Sequence, residues 1–310
     1  MNIFEKIIES FKIEIEKPTP YGTFHLVSLA ITVFFIILIC ISNKKHNEFK
    51  LRFALGMYGF SSLILEIIKQ LMWSLNVDAN GVASWDYQWY AFPFQFCSTP
   101  MYAACIASLM KECKIRKALL SYLGFFTILG SFMVMLLPTD IYVEHLMVCL
   151  HTTVLHAGGL VLSLFLLIHG YVKPQKSYFF SGFSIYVVCI IIAQTLNTII
   201  YNSGILNGES FDMFYISPHF TTSVPVFSII EQYVSPIIYV VLYVFAFMLG
   251  SSVVYFLTKL GYKESKETKF HKLQMEYMNR FYLHFPHKDK SDEEAFKVLN
   301  KSLEDDKPYK

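Results

Sequence analysis

Cys97 and His156 are the residue types that acyl chemistry uses: a thiolate attacks an acyl carbon, and a nearby imidazole takes the thiol proton. Both interrupt otherwise apolar stretches of the 310-residue chain. So do His25, Glu66, Lys69, Gln70, Gln95, His151, Gln194 and Asn197. Ionisable groups within apolar spans are costly, so their placement is the first functional clue. Glu66 and Lys69 are spaced i,i+3, which puts them on one helix face where they can pair. Cys97 follows Pro93 by four residues, in the first turns of a helix where free N–H groups favour a thiolate.

Other chemistry fits less well. His151 and His156 are spaced i,i+5, about 140° apart on a helix, so they do not chelate a metal as a pair. Zinc would need His25, Glu66 or another group to complete its shell. Polar residues at depth also mark transport paths, but no inverted repeat is visible and the opposite half of the spans lacks a polar exit. A buried hydrogen-bond network that knits helices together explains the same residues without any site. A cysteine in an apolar span equally serves as packing.

The elements that must position these groups are membrane spans. Hydrophobic residues make up 54% of the chain and charged residues 16%, against about 25% charged in a soluble domain. Segments 21–42, 53–75, 89–110, 117–138, 145–171, 178–202 and 230–260 each reach the ~20 apolar residues that a crossing requires. The sequence therefore predicts an all-α membrane protein, a bundle of seven transmembrane helices. The connections alternate. Lys44, Lys45, Lys50 and Arg52 follow the first span, Lys111, Lys114, Arg116 and Lys117 the third, and Lys173 and Lys176 the fifth, whereas 76–88, 139–144 and 203–229 contain neither Lys nor Arg. Basic loops stay cytoplasmic, so the N-terminus is expected outside and the C-terminus in the cytoplasm. The six cysteines form no CxxC pair, which suggests neither a disulfide framework nor a cysteine zinc site.

Three regions follow. Residues 1–20 alternate Ile3, Phe4, Ile7, Ile8 and Phe11 with charges, as an amphipathic interfacial helix stopped by Pro18 and Pro20. Residues 21–260 form the seven-helix domain, and 261–310 a charged cytoplasmic tail. At about 1.5 Å per residue, Glu66 lies roughly 14 Å, Cys97 12 Å, His151 9 Å and His156 17 Å from the outer ends of their spans. His25, Gln194 and Asn197 also fall in the outer half. The connection 203–229 is long enough to form a lid over them.

These residues resemble a known family. A histidine opening the first span (His25), Glu66 with Lys69 on the second, and a box Phe92-Pro93-Phe94-Gln95-Phe96-Cys97 on the third are similar to bacterial YwaF-type membrane proteins. So are His156-Ala157-Gly158 on the fifth span and Asn197 with Tyr201 on the sixth. That family is related to the eukaryotic transmembrane protein 164 family, and the resemblance covers residues 21–260. Gln95 stands where the box usually has histidine. The resemblance implies an integral membrane lipid acyltransferase or acyl hydrolase, with Cys97 as nucleophile and His156 as its base. Glu66 and Lys69 would orient groups or stabilise charge, and His25, Gln70, Gln95, His151, Gln194 and Asn197 would line or support the site. The expected partners are membrane lipids, a phospholipid or acyl donor, with no nucleic acid, cofactor or metal, at the cell membrane. The alternative is a non-enzymatic seven-helix protein that binds a lipid or other ligand.

Overall fold

The computed structural model describes residues 1–261 apart from 44, 45, 139, 140, 223 and 225. The charged tail expected at 261–310 lies, after Gly261, outside the described residues. Short α1 (Ile3–Ser10) is followed by α2 (Thr23–Ile41), α3 (Glu48–Ser74), a hairpin of β1 (Leu75–Val77) and β2 (Ala83–Trp85), and α4 (Thr99–Leu109). Then come α5 (Lys114–Phe125), α6 (Thr127–Leu136), α7 (Leu146–Ile168), α8 (Lys176–Asn202), the single turn α9 (Phe227–Ile230) and α10 (Pro236–Gly261). The chain is mostly helical.

Among the described residues, six stretches are long and apolar enough to cross a membrane: α2, α3, the nearly continuous α5–α6, α7, α8 and α10. The stretch expected as a third span, 89–110, is not one helix. Trp89–Ala91 forms a 3-10 turn, 92–98 is unwound, and only Thr99–Leu109 is α-helical. The physical reason is in the sequence: the residue before a proline is pushed out of the α region, and Phe92 precedes Pro93. Pro100 then sits comfortably in the first turn of α4, where a missing N–H costs nothing. The broken segment still runs antiparallel to α3 along most of that helix. Gln70 donates to the Ala91 carbonyl at one end, and Arg52 donates to the Ser108 and Met110 carbonyls at the other.

α7 is central and packs against α2, α3, α5 and α6. Close approach depends on missing side chains. A Cβ on Gly59 would stand 2.7 Å from the Cys105 backbone nitrogen, so α3 and α4 touch only because that position is glycine. A Cβ on Gly158 of α7 would lie 2.9 Å from the Tyr58 ring. Small residues at such crossings gain van der Waals contact where the bilayer supplies no hydrophobic drive between helices. Aromatic rings join α10 to the rest: Phe96 lies 4.7 Å from Phe247, and Tyr255 stacks edgewise on Phe125 and Phe179.

One end of the bundle carries a cap. The α1 helix ends at Ser10, well short of the 1–20 expected from the sequence, and is opened by a capping box between Asn2 and Glu5. Its Ile8 is buried against Met72 and Leu75 at the end of α3. Residues 13–15 then pair with the start of α7 through Ile15 N–H to the Glu144 carbonyl and Leu146 N–H to the Ile13 carbonyl, both 2.9 Å.

Candidate functional site

A buried charge cluster forms where α3 meets α7 near the cap. Glu66, 2% exposed, receives Lys69 Nζ at 2.7 Å and Gln70 Nε2 at 2.7 Å on Oε1, while His151 Nε2 stands 2.9 Å from Oε2. The i,i+3 and i,i+4 spacings bring Lys69 and Gln70 to Glu66 along one face of α3. His151 comes from α7 because the two helices pack directly. A carboxylate in a low-dielectric interior demands such partners. Gln70 reaches further, donating to the Ala91 carbonyl at 2.6 Å, and so ties the cluster to the 3-10 turn that leads into the unwound segment.

That segment carries Cys97. Its backbone is held by Ser98, whose Oγ accepts the Gln95 N–H at 2.8 Å and donates to the Gln95 carbonyl at 3.1 Å. Tyr102 donates to the Pro93 carbonyl at 2.9 Å, and the Thr99 and Tyr122 hydroxyls meet at 2.7 Å. Irregular backbone at membrane depth persists only where protein satisfies it or water reaches it. Cys97 is half-buried, two residues before α4, and lies within electrostatic range of Lys69 and Glu66. His156 is buried on α7 within range of His151. No hydrogen bond joins Cys97 to His156 among the described residues. The cysteine and the later histidine therefore flank the Glu66 cluster without forming a closed dyad.

The remaining candidates do different work. Gln95 and Asn197 are backbone clamps. Gln95 donates to the Asp212 carbonyl at 2.8 Å and accepts the Phe214 N–H at 2.7 Å; Asn197 donates to the Met213 carbonyl at 3.1 Å and accepts the Met213 N–H at 2.7 Å. Between them the chain turns sharply, with Phe214 and Tyr215 at φ of 60° and 57°. Phe211, Met213 and Phe214 are fully buried, and Phe214 packs against Phe94 and Phe96. The connection 203–229 is thus plugged into the cap end beside the Cys97 segment. His25 ties α2 to α6: its Nδ1 accepts the Tyr21 N–H at 3.0 Å, which leaves Nε2 to donate to the Met135 carbonyl at 3.0 Å. Both ring nitrogens are used, so His25 braces α2 against α6. Gln194 is half-buried, and its Oε1 has no hydrogen-bond partner among the described residues.

Two features escaped the sequence reading. Asp212 accepts the Ser217 N–H at 2.7 Å, and burial, with Glu231 adding repulsion, pushes its carboxyl up to about 7. The signal was an acid set among Phe211, Met213 and Phe214 in a connection without Lys or Arg. Tyr58 is the second. Its hydroxyl donates to the Leu155 carbonyl at 3.2 Å, one residue before His156, and it lies in electrostatic range of Cys97. A tyrosine in an apolar run carries no distinguishing spacing.

The sequence profile of the TMEM164 family matches residues 20–255, well over half of the chain, so the chain belongs to that family. No curated protein and no solved structure matches it.

Proposed function

We propose that this TMEM164-family membrane protein transfers or hydrolyses lipid acyl groups through Cys97, in a site at the outer end of a seven-crossing bundle. The observation that carries the reading is the unwound stretch 92–98. It puts a half-buried thiol at the threshold of α4, beside a buried Glu66–Lys69–His151 cluster. Discontinuous helices at membrane depth are characteristic of binding sites, and a helix N-terminus favours the thiolate. The seventh crossing is α4 with its unwound approach, which parallels α3 from Gln70 to Arg52. The Lys- and Arg-free connections support an orientation with the cap outside and Gly261 inside.

In this mechanism His156 takes the thiol proton and the Cys97 thiolate attacks the ester carbonyl. The tetrahedral intermediate collapses to a thioester, and the departing alcohol takes the proton back from the imidazolium. A second alcohol, or water, then attacks the thioester, giving its proton to His156 and returning the thiol. Lys69 supplies positive charge near the developing oxyanion, and Glu66 holds Lys69 in place. The second reading, a lipid-binding protein without turnover, is favoured by the missing hydrogen bond between Cys97 and His156. Catalytic hydrogen bonds often tighten only with substrate present.

Reconstitution with a phospholipid bearing a labelled acyl chain separates the two. Turnover, with a hydroxylamine-sensitive acyl adduct on Cys97 that Cys97→Ser abolishes, supports the enzyme. Labelled lipid retained by both proteins with no adduct and no product supports the binding protein.

A further inference from the structure

α2 and α3 both pack on α7 yet make little contact with each other. Between them lies a groove of about 630 Å³, open sideways, with Val154 and Val161 of α7 on its floor, Ile31 and Phe35 on one wall and Phe53 and Met57 on the other. Such a volume falls within the roughly 300–1,000 Å³ of sites that enclose an organic ligand.

We propose that this groove holds one acyl chain of a bilayer lipid. No charged residue among the described ones lines it, so they offer nothing to a headgroup. Its hydroxyls are turned away: Ser28 donates to the Phe24 carbonyl, Thr32 to Ser28, and Ser61 to Met57, each on its own helix. Thr153 Oγ1 is itself buried. The groove therefore presents a surface that is almost entirely hydrocarbon. From Ser28 to Ser42 its α2 wall runs about 21 Å at 1.5 Å per residue, longer than half of a ~30 Å hydrocarbon core, so an extended chain fits along it. The rim is Phe35, Phe53 and Met57, all exposed. Helix partners in membranes instead meet on small residues, which disfavours a helix of a second copy. Tyr58 joins the groove to the candidate site, because it lines the groove and lies within electrostatic range of Cys97. The proposal rests on the membrane reading of the chain and not on Cys97 chemistry.

The full chain is reconstituted in vesicles of phosphatidylcholine that carries a diazirine midway along one acyl chain, irradiated, and its adducts mapped by mass spectrometry. Adducts should concentrate several-fold on groove residues over lipid-facing Val188 and Phe245. Val161→Trp, which fills the floor, should lower the groove adducts several-fold and leave those at Val188 and Phe245 unchanged. Ser61→Phe provides the same test from the α3 wall if the tryptophan variant does not fold. Adducts spread evenly over all exposed helices, or fewer adducts on groove residues than on Val188 and Phe245, would overturn the proposal. Cys97→Ser should leave the adducts as they are. Loss of the groove signal with Cys97 acylation retained rejects the groove alone, and the reverse pattern rejects the enzyme reading alone.

Discussion

Gln95 Oε1 accepts the Phe214 N–H at 2.7 Å across 119 residues of sequence, and so holds a left-handed phenylalanine in place. Residues such as Phe214 and Tyr215 in that region cost on the order of 1–3 kcal/mol each and persist only when their surroundings over-determine them. Gln95, Asn197 and Tyr239, whose hydroxyl donates to the Tyr215 carbonyl at 2.9 Å, supply that constraint.

The first prediction follows from this clamp. Gln95→Ala strips the Phe214 N–H of its acceptor and leaves the Asp212 carbonyl only the longer bond from the Tyr215 N–H, at a cost of about 1–3 kcal/mol. Protease cleavage within 203–229 should rise in Gln95→Ala and again in Gln95→Ala/Asn197→Ala, while α7 and α8 stay protected. Unchanged cleavage would show that the aromatic plug alone holds the turn.

The Glu66 cluster predicts an asymmetric response. Replacing Lys69 alone by Met strips a buried carboxylate of one cation, and breaking such a pair costs roughly 3–5 kcal/mol. Replacing Glu66 by Gln together with Lys69→Met removes both charges and should restore much of the lost thermal stability. A double variant as unstable as the sum of the two singles would mean that the charges act separately.

Both the i,i+3 pair and six of the seven expected spans were legible in the sequence, because they depend on local periodicity and hydropathy alone. The clamps were not. Asn197 and Gln95 look like site residues by depth, and their real partners are backbone groups of a distant turn, which leave no pattern in the chain. His25 is similar: its acceptor role is set by Tyr21 four residues earlier, and its donor role by the end of α6. The break at 92–98 was written in Pro93, yet the run's length and apolarity read as one continuous span. The Ala91 carbonyl that Gln70 of α3 meets closes the 3-10 turn just before that break.

Asp212 makes stability of the cap pH-dependent. Its carboxyl is raised from 3.8 to about 7, so the folded state holds its proton more tightly than the unfolded chain. The stabilisation is complete below the unfolded value and is lost as pH rises through 7. Between pH 5 and 8 the cap should become more susceptible to protease in the native protein, and Asp212→Asn should flatten that dependence. An identical pH profile in the variant would assign the effect to another group.

Orientation is tested by single cysteines. Asn80→Cys and Asn207→Cys, in connections without Lys or Arg, should react with an impermeant thiol reagent on intact cells. Lys50→Cys, Lys111→Cys and the native, exposed Cys113 should react only after permeabilisation. The opposite pattern would move the cap and the candidate site to the cytoplasmic side.

The last prediction decides the chemistry. If Cys97 is the nucleophile, an acyl-type thiol probe that partitions into the bilayer should acylate it faster than Cys40, Cys105, Cys149 and Cys189. Of those four, only Cys149 lies in the first turn of a helix, and its Sγ donates to the Val143 carbonyl. Exposure alone predicts a different order, because Cys40 is exposed while Cys97 is half-buried. Preferential reaction at Cys97 would therefore report activation and not access. A general base contributes about 10²–10⁴-fold, so His156→Ala should slow acylation of Cys97 by about 10²-fold in a protein that keeps its thermal stability. His151→Ala is the necessary comparison, since His151 is the histidine that touches Glu66. A large effect of His151 with none of His156 would transfer the base role to the cluster. Equal slow labelling of all five cysteines, indifferent to both histidines, would leave Cys97 as packing and the chain as a lipid-binding protein.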